Sequence, residues 1–482
     1  MNVRNAQNLS MLCDFYELTM SNGYFRNGYK DRITYFDLFF RQVPDGGGFA
    51  IAAGLEQVVE YITNLHFSDE DIDYLRSRGI FCEEFLQYLR DFRFTGDIWA
   101  VPEGTPVFPR EPLITVRAPA IQAQLVETYL LLQINHQSLI ATKASRICRA
   151  AQGRTVLEFG SRRAQGADGA ILGARAAYIG GCAGTACTIS DEVYGVYAGG
   201  TMAHSWVQMF PTEYDAFKKY AEMYPDNCVL LVDTYNVLRH GVPDAIKVFD
   251  EVLKPMGKRP KGVRIDSGDI AYLSKKARQM LDAAGYPDCT VCASNSLDEY
   301  IVRDLILQGA RVDSFGIGEN MITAKSDPVF GGVYKLAAVK EDDGNYTPKM
   351  KLSESVEKMT IPCLKKVWRI YDEDGKAQAD LITMADEVVD TKNGITLFDP
   401  IETWKECTYV NSTARCISTP IYENGKRVYT SPNLADIRKF CKAQVGTLWD
   451  EVKRFENPHR YYVDLSRNLW DTRSELLKKL SK

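Results

Sequence analysis

The residues best suited to chemistry stand where short apolar runs of this sequence end. One of the five histidines, His204, lies in the stretch Thr201-Met202-Ala203-His204-Ser205. Asp233 and Asp266 close two other apolar runs. A carboxylate that accepts a hydrogen bond from an imidazole fixes its tautomer and raises its nucleophilicity, so we interpret His204 as a nucleophile and Asp233 as its partner. A lone histidine is more often structural, so this interpretation depends on what surrounds it.

Three arginines predict an anionic ligand near these residues. Arg162 and Arg163 follow one strand pattern, and Arg264 lies inside another, two residues before Asp266. Adjacent arginines on a loop are usually solvated, but a charge inside a strand is costly unless it is paired or meets a ligand. Because a guanidinium can bind two oxygens of a phosphate or carboxylate at once, the set indicates a ligand with several negative charges.

Two glycine-containing turns are candidate phosphate and sugar contacts. Gly316-Ile317-Gly318 could present backbone N–H groups to a phosphate, although a simple turn explains the pattern as well and the following Glu319 is acidic. Asp266-Ser267-Gly268-Asp269 offers carboxylates for ribose hydroxyls or, through waters, for Mg²⁺, and it also fits a helix N-cap. Neither turn is a Walker loop or a complete dinucleotide fingerprint.

The elements that must position these residues alternate between strand and helix. Helical patterns separate six short apolar runs, which span 155–159, 200–204, 229–233, 262–266, 290–294 and 312–316. This alternation is typical of parallel strands with crossover helices, whose carboxyl ends gather at one mouth when the sheet closes. Since a full barrel needs about eight strands, we predict an α/β fold with an irregular or incomplete (β/α) barrel.

The flanking segments predict a second domain of mixed α+β structure. Residues 1–118 combine helices with a proline-rich β-region, 119–153 form linking helices, and 154–340 contain the barrel. Residues 341–482 alternate short strand patterns with turns, end in helices, and should pack on the N-terminal part. The mixed domain is therefore predicted to use both chain ends.

Composition restricts the function classes. The net charge of −5 argues against a nucleic-acid binder but leaves room for a local basic pocket. Among twelve cysteines, Cys289 and Cys292 have C-x-x-C spacing but lie in an apolar run, so we expect core thiols rather than a zinc or redox site. The polar start, Met1 to Gln7, and the lack of an apolar run of about 18 residues predict a cytoplasmic chain that does not enter membranes.

Several short motifs are spread over nearly the whole chain. They are Cys13-Asp14-Phe15-Tyr16, Glu158-Phe159-Gly160-Ser161-Arg162-Arg163-Ala164, Thr201-Met202-Ala203-His204-Ser205, Gly262-Val263-Arg264-Ile265-Asp266-Ser267-Gly268-Asp269, Phe315-Gly316-Ile317-Gly318, Gly332-Val333-Tyr334-Lys335-Leu336 and Asn457-Pro458-His459-Arg460-Tyr461. In their order and spacing the chain resembles nicotinate phosphoribosyltransferase. The resemblance implies a type II phosphoribosyltransferase, usually a homodimer with sites at the subunit interface. It further implies the joining of nicotinate to phosphoribosyl pyrophosphate in NAD salvage, with Mg²⁺ present and ATP hydrolysis coupled through a phosphohistidine.

The same resemblance implies a role for individual residues. His204 would accept the phosphate, and Asp266 would lie at the sugar. The other contacts to nicotinate or to the donor would come from Tyr16, Arg162, Arg163, Thr201, Arg264, Ser267, Gly268, Ser294, Asn295, Gly316, Gly318 and Thr323. Which arginine takes the nicotinate carboxylate stays open.

Three alternatives remain at this point. A nicotinamide phosphoribosyltransferase would share the barrel and the histidine. A catalytically silent relative would be expected to lack at least one of the candidate residues, all of which are present. A barrel aldolase would need a lysine at a strand end, and none of the six strand ends carries one.

Overall fold

The computed structural model describes residues 8–353 and 359–481 and divides into two compact units. One unit contains the residues up to Leu139 together with those from Val329 onward, and the other contains Ile140–Pro328. The sequence patterns placed these limits at 153/154 and 340/341, fourteen and twelve residues further along the chain. In the structure the long helix that precedes the first strand of the middle segment is divided between the units.

The N-terminal segment contains five strands and six helices in its described part. Ser68 caps one of these helices, where its hydroxyl accepts from the backbone N–H of Asp71. The elements are α1 (Phe15–Arg26), β1 (Ile33–Phe39), β2 (Ala50–Ile51), α2 (Leu55–Asn64), α3 (Asp69–Ser77), α4 (Glu83–Arg90), β3 (Asp97–Ala100), β4 (Pro106–Val107), β5 (Ile114–Pro119), α5 (Ala120–Gln124) and α6 (Glu127–Ala150).

The middle segment alternates strands and helices as the sequence predicts. Its elements are β6 (Thr155–Glu158), α7 (Gly166–Ile179), β7 (Gly184–Thr185), α8 (Thr188–Tyr194), α9 (His204–Gln208), α10 (Glu213–Met223), β8 (Val229–Leu231), α11 (Val242–Val248), β9 (Gly262–Ile265), α12 (Ile270–Ala283), β10 (Thr290–Ser294), α13 (Glu299–Leu307), β11 (Ser314–Ile317) and α14 (Glu319–Ile322). Two π-helical turns, Val237–Gly241 and Phe249–Leu253, flank α11. Sequence patterns did not indicate α9, α10 or α14.

The C-terminal segment is built mainly from short strands and closes with helices. Its elements are β12 (Val333–Lys340), β13 (Tyr346–Pro348), β14 (Lys365–Tyr371), β15 (Ala377–Met384), β16 (Ile395–Phe398), β17 (Glu406–Tyr409), β18 (Thr413–Cys416), β19 (Thr419–Glu423), β20 (Lys426–Arg427), α15 (Leu434–Thr447), β21 (Tyr462–Leu465) and α16 (Arg467–Leu480).

The main sheet of the first unit combines strands from both chain ends, and a second sheet uses C-terminal strands alone. A seven-stranded sheet has the order β13-β12-β1-β5-β3-β19-β20, and a four-stranded sheet has the order β18-β14-β15-β21. Strand β1 pairs antiparallel with both β5 and β12, and the rings of Phe36 and Tyr334 stack at 4.8 Å. Burial of such aromatic pairs is a main source of core stability.

The second unit contains one parallel sheet with the order β7-β6-β11-β10-β9-β8. In this order consecutive strands are neighbours, except that β7 and β8 lie at opposite edges, and β6 pairs with β11. Within the described residues no ladder joins β7 to β8. Apolar side chains of these strands, such as Val156, Leu230, Val263 and Val291, are at most 2 % exposed, as expected for parallel strands covered by crossover helices.

The predicted strand at 200–204 is wrong. The chain makes one isolated parallel bridge, between Thr185 and Ala198, and His204 then begins the short helix α9. The sixth strand is instead the two-residue β7, which pairs with β6. The Gly199-Gly200 pair explains the failure, since glycine offers no side chain to pack in a strand and costs more backbone entropy to order than other residues.

The thiol pair at 289 and 292 is part of the core. Both residues are buried free cysteines, which confirms the expectation of core thiols. Burial raises the pKa of the Cys289 thiol to about 12 and also raises that of Cys292. A raised pKa lowers the fraction of the nucleophilic thiolate, as expected for structural cysteines. Across the described ranges, no helix combines the length and the apolar character needed to cross a lipid bilayer.

Candidate active site

Arg264 lies in strand β9 and connects the ends of two neighbouring strands. Its Nε donates to Ser294 Oγ at 2.9 Å, and its Nη2 donates to Asp266 Oδ1 at 2.9 Å. Ser294 also donates to the same carboxylate oxygen, and Arg264 Nη1 lies 3.4 Å from Thr201 Oγ1. The side chain of Arg264 is only 13 % exposed. The pairing of this charge inside a strand agrees with the expectation from sequence.

Asp233 holds the turn that follows β9. Its Oδ2 accepts from Ser267 Oγ at 2.6 Å and from the backbone N–H of Asp266 at 3.1 Å. Its Oδ1 is buried and makes no hydrogen bond within the described residues. The predicted hydrogen bond with His204 is absent, since His204 Nε2 lies 4.0 Å from that oxygen. The donors to the Asp233 carboxylate are Ser267 and the backbone of Asp266, and not the imidazole that the sequence predicted.

His204 lies between a hydroxyl and two carboxylates. Its Nδ1 is 3.1 Å from Thr234 Oγ1, while its Nε2 is 3.8 Å from Asp266 Oδ2 and 4.0 Å from Asp233 Oδ1. The ring is 40 % exposed, so a ligand can reach it. Two negative oxygens on one side favour a proton on Nε2. The lone pair of Nδ1 then faces the Thr234 hydroxyl.

Phe159 packs against Arg264 and accounts for the glycines at positions 316 and 318. The guanidinium carbon of Arg264 lies 5.6 Å from the centre of the Phe159 ring, a cation–π contact. A Cβ at Gly316 would stand 2.4 Å from that ring, and one at Gly318 would stand 2.8 Å from the Phe159 carbonyl oxygen. Both glycines are therefore required by packing, whatever ligand the turn meets.

Glu319 is negatively charged, which argues against a phosphate at the turn Gly316–Gly318. In the structure this charge is paired with cations. Lys325 Nζ lies 2.7 Å from its carboxylate and Arg163 Nε lies 3.8 Å away. The hydrogen bond from Lys325 is the main reason that the pKa of Glu319 is lowered. Arg162 and Arg163 are exposed.

Thr323 was predicted to contact the phosphoribosyl donor. In the structure its hydroxyl donates to the Glu319 carbonyl at 2.8 Å, a local hydrogen bond at the C-terminal end of α14.

The loop after β10 carries a strained backbone. Asn295 and Ser296 have φ values of +95° and +46°, a region that non-glycine residues rarely occupy. Asn320 Nδ2 holds the loop by donating to the carbonyls of Ser296 and Leu297 at 2.9 and 3.2 Å. Such strain persists only where the surroundings enforce it, and it is concentrated at ligand sites. In the neighbouring turn Gly268 has φ +77°, and Asp269 caps α12, as the helix-cap alternative predicted.

Sequence reasoning did not name Thr234, and it named Glu158 and Phe159 only as members of a motif, with no role at the site. Glu158 ends β6, and its buried carboxylate accepts from Thr185 Oγ1 at 2.6 Å and from the backbone N–H of Gly160. Burial raises the pKa of Glu158. A carboxylate inside an apolar run was the available signal for Glu158, whereas no pattern distinguishes Thr234 or Phe159.

Not every predicted residue belongs to this cluster. Tyr16 lies in α1 of the first unit, where its side chain is 43 % exposed. In the second unit the structure brings together Thr201, His204, Asp233, Arg264, Asp266, Ser267 and Ser294. The described residues contain no group of three or more histidine, cysteine or acidic side chains arranged to hold a metal ion alone.

Comparison with known proteins gives matches along the whole chain. Residues 11–135 match the nicotinate phosphoribosyltransferase (NAPRTase) N-terminal domain, and residues 364–473 match the corresponding C-terminal domain. A nicotinate phosphoribosyltransferase of Bacillus subtilis is 42% identical over 470 residues, which cover 97% of this chain and 95% of the relative. That of Homo sapiens is 31% identical over 516 residues, which cover 95% of each chain.

Solved structures agree with the sequence matches. The crystal structure of human nicotinic acid phosphoribosyltransferase superposes with a TM-score of 0.86 and 29% identity, and the match covers 96% of this chain and 99% of that one. A nicotinate-nucleotide pyrophosphorylase from Pyrococcus furiosus shares the fold, with a TM-score of 0.71 at 22% identity over 93% of this chain and 97% of that one. The chain therefore belongs to the nicotinate phosphoribosyltransferase family of enzymes.

Proposed function

We propose that this protein joins nicotinate to 5-phosphoribosyl 1-pyrophosphate and releases nicotinate mononucleotide and pyrophosphate, a salvage step of NAD biosynthesis. The observation that carries the proposal is the cluster of Arg264, Asp266 and His204 at the strand ends of the second unit. A fixed cation, a partly exposed carboxylate and a reachable imidazole are the groups that a phosphorylated sugar and an anionic base require.

In the proposed reaction the pyridine nitrogen forms a bond to C1′ of the ribose while the bond from C1′ to the pyrophosphate oxygen breaks. Positive charge develops on the sugar as pyrophosphate leaves, and the carboxylate of Asp266 can stabilise it. Nicotinate needs positioning more than activation, because its nitrogen already carries a lone pair. Arg264 and Thr201 are suited to this positioning, and the family resemblance adds Tyr16 as a further candidate.

ATP hydrolysis is proposed to act through a phosphate on His204. Thr234 and the two carboxylates orient the ring so that Nδ1 attacks the terminal phosphorus and ADP leaves. A phosphate there adds about −2 of charge, which can draw cationic side chains towards the donor. Hydrolysis of the phosphohistidine would then reopen the site.

Magnesium fits this arrangement as a shared ion. Mg²⁺ is usually bound by one or two carboxylates together with substrate phosphates and waters. Asp233, with its buried Oδ1 lacking a hydrogen bond in the described chain, and Asp266 are the residues that would hold it. The ion would neutralise phosphate charge when bound.

Three further properties are proposed on the same basis. The strand order of the second unit suits an incomplete barrel, open between β7 and β8. We expect a homodimer, because the family resemblance implies sites at a subunit interface. We also expect the reaction to occur in the cytoplasm, where free thiols stay reduced.

The direct test is an assay with Mg²⁺, phosphoribosyl pyrophosphate and ATP, run in parallel with nicotinate and with nicotinamide. We expect nicotinate mononucleotide and ADP. Mononucleotide from nicotinamide alone would favour a nicotinamide phosphoribosyltransferase, and no product from either base would contradict the enzymatic proposal.

The phosphohistidine is tested separately with ATP labelled on its γ-phosphate. The label should enter the protein in a form that is stable to alkali and labile to acid, and it should be absent from the variant His204→Asn. Labelling of that variant equal to the parent protein would contradict the role of His204.

A further inference from the structure

The second unit has a basic cavity at the opposite end of its parallel sheet. Strands β6 and β11 begin there, at Thr155 and Ser314, whereas the candidate active site lies where the strands end. The cavity is open and measures about 1340 Å³. This is more than the volume of a typical small-molecule site, so a nucleotide-sized ligand fits.

The charges around the basic cavity do not balance. Its lining includes the cations Arg154, Lys275, Arg278 and Arg311 but only two carboxylates, those of Asp282 and Asp313. The carboxylate of Asp282 is taken by Arg278, whose Nε donates to it at 2.8 Å. The carboxylate of Asp313 accepts the backbone N–H of Val291 at 2.8 Å. Three cations therefore lack a carboxylate partner in the described part of the chain.

Backbone carbonyls orient two of these cations. Arg154 Nε donates to the Val312 carbonyl at 2.9 Å, and Lys275 Nζ donates to that of Gln308 at 3.1 Å. A carbonyl accepts a hydrogen bond but carries no net charge, so these contacts fix the side chains without neutralising them. They also leave further donors on both groups, since an ammonium has three and a guanidinium five.

Arg311 is the cation that points most clearly to a ligand. Its backbone N–H donates to Ser274 Oγ at 3.1 Å, which holds the chain in place. Its guanidinium is exposed and makes no hydrogen bond or ion pair to any described residue. A guanidinium is the side chain best suited to bind two phosphate oxygens at once.

We propose that the basic cavity binds a ligand that carries at least two phosphate groups, with Arg311, Lys275 and Arg154 as its contacts. None of the residues that line the cavity is aromatic, so recognition rests on the phosphates and not on stacking of a base. The site is separate from the one proposed for the reaction, and its occupancy does not depend on that function.

Lys275 allows the proposal to be tested by chemistry, because the next residue of α12 is a matched control. Lys276 is also exposed but does not line the cavity. Pyridoxal 5′-phosphate forms an imine with a lysine amine, with loss of water, and borohydride then reduces the imine to a stable amine. Peptide mass spectrometry of the full-length protein gives the extent of labelling at each lysine.

We expect the phosphate-bearing aldehyde to label Lys275 about tenfold more than Lys276, and pyridoxal without phosphate to label both alike, because charge-assisted hydrogen bonds to the phosphate supply the difference. Inorganic tripolyphosphate should protect Lys275 but not Lys276. The variant Arg311→Ala should lose most of the preference, whereas Arg264→Ala in the candidate active site should keep it. Equal labelling of the two lysines, no protection by tripolyphosphate, or full preference in Arg311→Ala would overturn the proposal.

Discussion

Each unit of the molecule contains an arginine–aspartate pair, and the two pairs differ in what they leave free. In the first unit Arg369 binds both oxygens of Asp380, at 2.8 and 2.7 Å, and neither side chain has any exposure. In the second unit Arg264 binds one oxygen of Asp266 at 2.9 Å, and the other oxygen faces His204 at 3.8 Å. In the first pair both carboxylate oxygens are occupied by the arginine, whereas the second pair retains an acceptor for a ligand.

The surroundings reinforce this difference. The rings of Phe108 and Tyr461 stack at 3.8 Å beside Arg369, and Tyr461 donates its hydroxyl to Asp380 at 3.1 Å. Nearby Glu111 is fully buried, and this burial, together with the charge of Asp380, raises the pKa of Glu111 well above its usual range. A charge pair sealed in this way supports the fold, while a pair with 13 % and 26 % exposure is available for chemistry.

The largest expected effect comes from breaking the sealed pair. Arg369→Met should lower the free energy of unfolding by about 3–5 kcal/mol, because it leaves the Asp380 carboxylate buried without its cation. Urea titration measures the change. Arg415→Met is the matched control, since Arg415 is exposed and lies opposite Arg369 on strand β18, and it should cost less than about 1 kcal/mol.

The open pair should respond in activity and not in stability. Arg264→Lys keeps the charge but loses the two-pronged donor, so kcat/KM should fall by about 10²-fold or more. The midpoint of urea unfolding should stay close to that of the parent protein. If Arg264→Lys instead unfolds at a clearly lower urea concentration but keeps its activity per folded molecule, the Arg264–Asp266 pair would be structural and not catalytic.

Glu111 predicts how stability depends on pH. Because its pKa is raised, the Glu111 carboxyl holds its proton to higher pH in the folded protein than in the unfolded chain, where it ionises above the ordinary pKa of 4.5. The free energy of unfolding contributed by Glu111 therefore decreases as pH rises from there. Glu111→Gln removes this loss and should stabilise the protein more at pH 8 than at pH 5. The gain should vanish near pH 4, and a gain that is independent of pH would contradict this explanation. Glu84→Gln, at an exposed position, serves as the control.

The smallest expected effect concerns the orientation of His204. Thr234→Val removes the hydroxyl 3.1 Å from Nδ1 and should slow the ATP-dependent labelling of His204 about tenfold, the equivalent of one net hydrogen bond. Thr234→Ser keeps the hydroxyl and should restore the rate. Equal labelling rates in the parent protein and both variants would show that Thr234 does not orient His204.

Local patterns predicted the framework that carries the site. Strand β10 occupies the predicted residues 290–294, and the ends of β9 and β10 bring together Arg264, Asp266 and Ser294 as expected. The prediction succeeds because parallel strands with buried apolar faces have a clear sequence period, and their carboxyl ends gather at one edge.

The sequence-based predictions failed around His204, where long-range contacts set the conformation of the backbone. The bridge at Ala198 and the helix that starts at His204 depend on contacts far apart in sequence, which a run of small residues does not reveal. The pairing of His204 with Asp233 was close but wrong, because the turn after β9 supplies nearer donors to that carboxylate. A donor–acceptor distance that is longer by about 1 Å no longer makes a hydrogen bond, and the spacing of residues in a sequence does not predict distances to that precision.

The most direct test of the central claim is the rate of nicotinate mononucleotide formation by the parent protein and by Asp266→Asn, measured side by side. Asparagine keeps the shape of the side chain and an oxygen that accepts from Arg264, but it removes the negative charge that faces His204 and that we propose stabilises the sugar. We predict product from the parent protein and a rate at least about 10²-fold lower in the variant, with unchanged unfolding. No mononucleotide from the parent protein, or an equal rate in the variant, would contradict the account.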